Sequence, residues 1–365
     1  MSSASQAAQL INHGAVQLPS VTIDSYNLEL RSKDGFLGDR ASRGAFFDKL
    51  EEIRVRLRKA GNDPFGKVPS KEIGKKQLDA MLVGEDKEAA VLVFGAVDAF
   101  SKELSFVIGK FLAEKEWEGT ERIVVGGGLK ESRIGELAMA SAGLNLKAEG
   151  FAIELAPIRY HPDEAGLIGA AHLMPAWMLQ GHDAILAVDI GGSNIRAGIL
   201  ITNLAVAPDL SKAKLWKSDL WRHAEDEPGR GQAVDRLVDM LKSLIAKAGK
   251  EKLNLAPVIG VSCPGIIERD GTIARGGQNL PGSNWESKRF NLPATLQAAI
   301  PTIGDHQTVV IMHNDAVVQG LSQVPFMQDV KRWGVLTIGT GLGNARYSNN
   351  ESEDKSGSQK KNDGN

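Results

Sequence analysis

The sequence predicts an α/β protein of two lobes, and three observations carry that expectation. Short runs of continuous apolar character alternate with segments of helical spacing over most of the chain. Three such runs, at 123–128, 185–192 and 333–343, stop at glycine turns. A further apolar run, 310–316, ends in Asn314 and Asp315 and passes straight into a helical pattern.

Composition narrows the class. The chain has 365 residues, 42% of them hydrophobic, enough for two modest domains or one large bilobal unit. No apolar run reaches the roughly 18 residues of a membrane span, and residues 1–20 lack the basic and apolar regions of a signal peptide. One cysteine, Cys263, excludes an internal disulfide and a cysteine-cluster metal site. A net charge of −2 offers no basic field for nucleic acid. The expectation is a cytoplasmic globular protein with no nucleic-acid or membrane partner and no structural zinc.

Each element follows in order. Residues 1–20 are weakly patterned and are expected to form a flexible N-terminus. The partly alternating stretch 21–30 predicts a strand. Residues 42–59 place Phe46, Leu50, Ile53 and Leu57 on one side of a helix, and the Asn, Pro and Gly residues of 62–69 end it. A long helically spaced segment covers 85–113, a buried strand at 121–125 leads into the triple glycine, and a helix is expected at 131–141. A strand at 153–157 and a small-residue helix at 162–173 complete a larger lobe over 21–175. Beyond the connector 175–182, strands are predicted at 184–190, 195–201, 257–262 and 308–312, with helices at 229–248 and 316–324. These form a smaller lobe, 183–330. The last strand, 334–338, and its glycine turn (333–347 together) are expected to return to the larger lobe. The polar tail 351–365 is expected to be disordered. Trp177, Trp216, Trp221 and Trp333 should pack cores or cover edges, His161 and His172 should be structural, and His223 and His306 should lie in surface loops.

The glycine turns are the chemical signal. A strand ending in Asp189-Ile190-Gly191-Gly192-Ser193-Asn194 can turn tightly and bring backbone N–H groups close to phosphate oxygens. Asp189 would then hold Mg2+, directly or through water. Gly339-Thr340-Gly341-Leu342-Gly343 has the same form. Either turn alone reads more readily as an ordinary β-turn after a buried strand, and neither is a Walker A loop, since no Gly-Lys-Ser/Thr follows. Two in one chain, each after an apolar strand, favour phosphate binding. Asp315 stands where a carboxylate could take a hydroxyl proton during attack on a γ-phosphorus, or could cap the helix that follows. The polar loop 278–285, which holds Asn279, suits a hydroxyl-rich ligand or is a surface turn.

Together these residues resemble the ROK (repressor, open reading frame, kinase) family of sugar kinases and regulators, within the actin/hexokinase-like superfamily and its ribonuclease H-like fold. The matching stretches are 189–198 for the first phosphate motif, Pro264-Gly265 and 279–282 for the sugar side, and 314–316 for the catalytic pair. The second phosphate motif matches at 338–343, the adenosine motif at 123–128 and the closing helix at 165–171. The resemblance implies a two-lobed fold with a central cleft, ATP and Mg2+ as cofactors, and a sugar-like small molecule as substrate. It implies Asp315 as general base and Asn279 and Asn314 as sugar-side ligands. Gly191, Gly192, Ser193, Asn194, Gly339, Thr340, Gly341 and Gly343 would surround the phosphates, and Gly127 and Gly128 would lie against the adenosine. There are departures. The Glu-x-x-Gly-His segment and the cysteine-rich zinc motif that usually follow the second phosphate motif are missing, and His313 stands where the family usually has Glu.

The motif order is also unusual, because the adenosine turn at 123–128 comes first. Read circularly, 184–346 and then 21–174, the order becomes ordinary, and the short connector 175–182 joins former neighbours. A domain-swapped dimer and a fusion of fragments into an inactive chain are the alternatives to circular permutation, and a homodimer is compatible with all three. The leading functional expectation is an ATP-dependent kinase for a sugar or sugar-like hydroxyl. A catalytically inactive sugar or nucleotide sensor is the second, favoured by the missing sugar-ligand segment, and a phosphotransferase acting on a carboxylate is the third. No helix-turn-helix pattern precedes residue 20, which argues against a DNA-binding repressor.

Overall fold

The computed structural model describes residues 12–33 and 35–350, and the expectations for residues 1–11 and 351–365 lie outside them. In chain order the main strands are β1 (Val21–Tyr26), β2 (Arg122–Gly127), β3 (Glu154–Pro157), β4 (Ala184–Ile190), β5 (Ile195–Ile201), β6 (Lys214–Trp221), β7 (Leu255–Cys263), β8 (Val309–Asn314), β9 (Arg332–Ile338) and β10 (Leu342–Asn349). The main helices are α1 (Arg43–Lys59), α2 (Lys75–Val83), α3 (Lys87–Leu112), α4 (Arg133–Ala148), α5 (Pro162–Gly169), α6 (Arg230–Lys250), α7 (Leu292–Ala299) and α8 (Asp315–Leu321).

β4 is buried at every position because strands cover both its edges and helices both its faces. Its sheet runs β8-β7-β4-β5-β6, with β8, β7 and β4 parallel and β4, β5 and β6 an antiparallel meander. α6 packs its apolar face, including Leu237, Leu241 and Leu244, on the outer side. The other sheet runs β1-β10-β9-β2-β3, with β9, β2 and β3 parallel and β9, β10 and β1 antiparallel in turn. Its outer face is covered by α1, α3 and α4 through Phe46, Phe100, Leu104 and Ala142. Between the sheets lie α5 and α8, in a core shared with Val124, Ile185, Ala187 and Val335.

Both sheets thus follow one plan, a three-strand meander whose first strand is joined by two parallel strands. The sheet of β4 receives its strands in chain order. The other does so only if residue 349 is followed by 21. The ends of β10 and β1 do meet: Thr22 Oγ1 donates to Asn350 Oδ1 at 3.0 Å, and Asn350 N donates to Ser20 O at 3.1 Å.

Several expectations change. β10 is a full strand where a polar run into the tail was expected; Tyr347 is buried, stacks on Trp333 at 4.1 Å and donates its hydroxyl to Val317 O at 2.8 Å. β6 went unread because an edge strand needs no continuous apolar run. α4 extends to Ala148, beyond the expected end near 141. Residues 12–20, expected to be flexible, are packed. Gly14 N donates to Met312 O at 3.0 Å, Met312 N donates to His13 Nδ1 at 3.2 Å, and Leu18 is buried. This segment answers backbone groups on the open edge of β8, a demand that no local pattern in 12–20 reveals. Trp177 is 54% exposed rather than packed in a core. Among the described residues no helix is long and apolar enough to cross a membrane.

Candidate functional site

Asp189 is the penultimate residue of β4, and register places Ser262 and Arg196 on either side of it. Ser262 Oγ donates to Asp189 Oδ1 at 2.6 Å, and Arg196 Nη1 stands 3.5 Å from Oδ2. Arg196 also pairs with Asp163 at the head of α5, and its Nε is buried without a partner. Burial raises the Asp189 pKa, while Arg196 and Ser262 pull it down. α5 closes over this group: a Cβ at Gly166 would come 2.5 Å from Asp189 Oδ1, so only glycine lets the helix sit there.

The turn after Asp189 is tied into a fixed shape. Gly191 N donates to Asn194 O at 2.8 Å, and Ala224 N donates to Ser193 O at 3.2 Å. His223 Nε2 meets Gly191 O at 2.8 Å. His223 was expected in a surface loop, but it is buried and anchors this turn. Gly192 and Ser193 themselves are exposed. The loop 278–285 adjoins them, since a Cβ on Gly192 would lie 3.2 Å from the Asn279 Cβ.

β8 delivers Asp315. Its last residue, Asn314, caps α8: Oδ1 accepts from Ala316 N at 3.0 Å and Val317 N at 3.2 Å, while Nδ2 donates to Gly265 O at 2.9 Å. At 1% exposure the Asn314 amide serves the protein in this arrangement, which differs from the ligand role that the resemblance implies. Asp315 is the first residue of α8 and is partly exposed. Enclosure by the surrounding protein, and then the Asp189 carboxylate, push its pKa up to about 6. Cys263, opposite Asn314 in the β7–β8 pairing, feels both carboxylates; burial first, then Asp315 and Asp189, drive its thiol pKa well up.

The neighbouring His313 turns away from this group. Its Nε2 faces Ala15 O at 3.1 Å, its Nδ1 accepts from Asn314 N at 2.7 Å, and the Tyr26 ring meets its own edge-on at 5.2 Å. Burial lowers its pKa to about 4, so the ring is neutral at pH 7.

On the other sheet, β9 ends at Ile338 and turns: Gly339 N donates to Gly341 O at 2.9 Å, and Arg43 N, at the start of α1, donates to Gly339 O at 3.0 Å. Thr340 and Gly341 are exposed. Gly343 passes α8, where its Cβ would lie 3.1 Å from the Ala316 Cβ. Gly127 ends the adjacent parallel strand at φ +98°, and a Cβ there would come 2.1 Å from Ile338 O. The two glycine turns therefore leave neighbouring strands at their carboxyl ends, where open α/β sheets bind ligands. Just beyond Gly128 a cavity of about 810 Å³ opens between Lys130, Ser132, Arg133, Arg159 and Phe326. Neither Asp189 nor Asp315 lines it.

The structure thus gathers Asp189, residues 191–194, Asn279 and Asp315, and brings 339–343 beside α8, with Gly127 and Gly128 next to them. Ser262, Arg196 and His223 were missed. The first two are visible only once strand register is known, and His223 has no local signal at all. The donor set fits a divalent cation with phosphate: two enclosed carboxylates stand close together with raised pKa values. Among the described residues no group of three or more His, Cys, Asp or Glu could hold a metal alone, so phosphate and water would complete its shell.

No protein-family model matches the chain, and no curated protein matches it either. Among solved structures, it is similar to a candidate N-acetylmannosamine kinase from Listeria monocytogenes, at 26% identity and a TM-score of 0.32, over 46% of this chain and 48% of that one. It is also similar to the PPX-GPPA enzyme of Aquifex aeolicus, at 12% identity and a TM-score of 0.22, over 42% of this chain and 48% of that one. The chain spans about half the length of each of these structures.

Proposed function

We propose that the chain is an ATP-dependent kinase for a hydroxyl of a sugar or sugar-like small molecule, built as a circularly permuted actin/hexokinase-like fold of the ROK type. The observation that carries this reading is Asp315, a partly exposed carboxylate beside the glycine turn of Asp189 and poised at about 6 by enclosure and by Asp189. A base with a pKa just below neutrality is ionised at pH 7 yet still basic enough to take a proton. Mg2+-ATP, when bound, supplies the γ-phosphoryl group and offsets its charge.

The chain's own groups have distinct tasks. Asp315 accepts the proton of the acceptor hydroxyl as that oxygen attacks. Asn314, as cap, aims Asp315 and holds the Gly265 turn in place. Asp189, steadied by Ser262 and Arg196, holds Mg2+ through water. Backbone amides of 191–194 and 339–343 orient phosphate oxygens, Gly127 and Gly128 flank the adenosine, and Asn279 offers an amide to the acceptor. The partner is a small molecule, with no role for nucleic acid or membrane.

Coupled nucleotide turnover across a panel of sugars tests the proposal. Turnover with at least one sugar is expected; tight ATP binding with no turnover on any of them would overturn it. In Asp315→Ala, turnover should fall roughly 10²–10⁴-fold while ATP affinity, read by calorimetry, stays within about threefold. Unchanged turnover in that variant would remove Asp315 from the mechanism.

A sensor without catalysis is the second reading, and His313 favours it. The ring bonds to the N-terminal segment rather than facing Asp189 and Asp315, at a position where the resembling family carries an acidic residue. ATP- or sugar-induced thermal stabilisation without phosphoryl transfer would select this reading.

A further inference from the structure

The outer helical layer of the first lobe leaves an apolar stripe uncovered. α3 lies between α1 and α4 and packs its buried side beside both. Its outward residues at four-residue spacing are Phe94, Asp98, Lys102 and Phe106. Phe94 and Phe106 are 48% and 37% exposed, and Val91, one turn earlier, 69%. Val55 of α1 and Leu144 of α4 are exposed on the flanking helices. Five of the twelve large apolar side chains exposed among the described residues therefore belong to three adjacent helices, which sets them apart from scattered single exposures.

The order along the stripe is apolar, acidic, basic, apolar, and it complements its own reverse. A half-turn about an axis at the level of residue 100 sets Phe94 of one copy against Phe106 of the other, and Asp98 against Lys102. Every contact then occurs twice, as an isologous interface requires. Asp98 and Lys102 pair within their own helix at 2.7 Å, with side chains 58% and 66% exposed. Two such pairs face to face would alternate in sign. Arg40 lies over the Phe106 ring at 4.4 Å and Lys110 at 5.2 Å, which holds that ring at the surface.

We propose that α3 is the centre of a two-fold homodimer interface in which a second copy of this chain covers the stripe in antiparallel orientation. α3 has 26 residues, a length of roughly 39 Å. Three helices abreast, each about 8–10 Å from the next, give a face large enough for the roughly 800 Å² per partner of a stable interface. Rows spaced by four, each inclined about −26° to its own helix axis, favour a crossing near −50° when they interdigitate.

Sedimentation equilibrium of the full chain over a concentration series is the test, with the unfolding temperature of each variant recorded alongside. Wild type should sediment as a dimer of 39.1 kDa subunits. Asp98→Lys and Lys102→Asp each place like charges across the axis and should weaken the dimer about tenfold or more. The double reversal, Asp98→Lys with Lys102→Asp, restores the alternation and should recover most of the affinity. A wild type that stays monomeric, or a dimer indifferent to both single reversals, would overturn the proposal. So would folded single variants that dissociate and a folded double variant that does not recover.

Discussion

Asp315 joins two properties that pull against each other. Its folded pKa of about 6 lies above the ordinary aspartate value of 3.8, so the folded chain holds the proton more tightly than the unfolded one. Ionising it therefore costs stability as pH rises through about 6, and that cost vanishes below about 4. Turnover needs the ionised form, so kcat/KM should fall as pH drops through about 6, and a flat profile down to pH 5 would argue against Asp315 as base. Asp315→Asn should be inactive and also more stable than wild type, by about 1–3 kcal/mol in denaturant titration at pH 7. A loss of stability would mean that the carboxylate is better accommodated than its enclosure implies. At this scale the sequence was most legible for groups that end a strand in a recognisable turn, such as Asp189 and Asp315. Ser262 and Arg196 act through cross-strand register, and His223 through the return of a distant loop. Neither kind of relation leaves a local pattern.

Among the elements, α5 and α8 matter most, because they cross between the two sheets. Gly169 of α5 lies so close to α8 that a Cβ would come 1.7 Å from Val318 O, whereas Gly166 faces Asp189. The two glycines should respond differently to alanine. Gly169→Ala is expected to cost about 3 kcal/mol or more in unfolding free energy, since backbone must move. Gly166→Ala should cost less, about 1–3 kcal/mol, but lower kcat by displacing the Asp189 carboxylate. Equal effects of both on activity would contradict that division. In contrast, the buried Arg54 of α1 bonds Asp63 at 3.1 Å and Ser70 at 2.8 Å, far from the carboxylates. Arg54→Ala should cost about 1–3 kcal/mol, because Asp63 keeps only Arg58 as a cationic partner and Ser70 loses a donor, while leaving kcat unchanged. Small residues at 165–171 were readable as a helix. That two of them are contact points was not, because the contacts are made with α8 and with β4, which the pattern of 165–171 does not encode. β6 and β10 went unread for the converse reason: each gains its strand character from neighbours and not from its own alternation.

For the whole molecule, the meeting of Ser20 and Asn350 makes a definite statement about connectivity. If the β1-β10 edge is a hairpin in all but its covalent link, the chain should tolerate being reopened elsewhere. A rearranged chain that runs from 183 to 350, through a flexible linker, and then from 12 to 182 should fold with an unfolding temperature within about 2 °C of the parent, a change of about 1 kcal/mol. An insoluble product would show that the present order of elements is itself needed. The alternation of strands and helices, with three strands ending in glycine turns, made the two-lobed α/β plan legible before any contact was known. The docking of residues 12–20 on β8 was not, since it answers the needs of a distant edge.

The position of β9 and β10 also sets a timetable. β4 to β8 lie between residues 184 and 314 and can pair as soon as that stretch leaves the ribosome. β1, β2 and β3 are made earlier, yet their sheet has no centre until residues 332–349 arrive. At bacterial-to-eukaryotic synthesis rates the wait from the end of β3 is about 10–40 s. Through that interval the edge of β2 that later pairs with β9 stays open, so each nascent chain must keep its first-made lobe incomplete until its last-made strands are added.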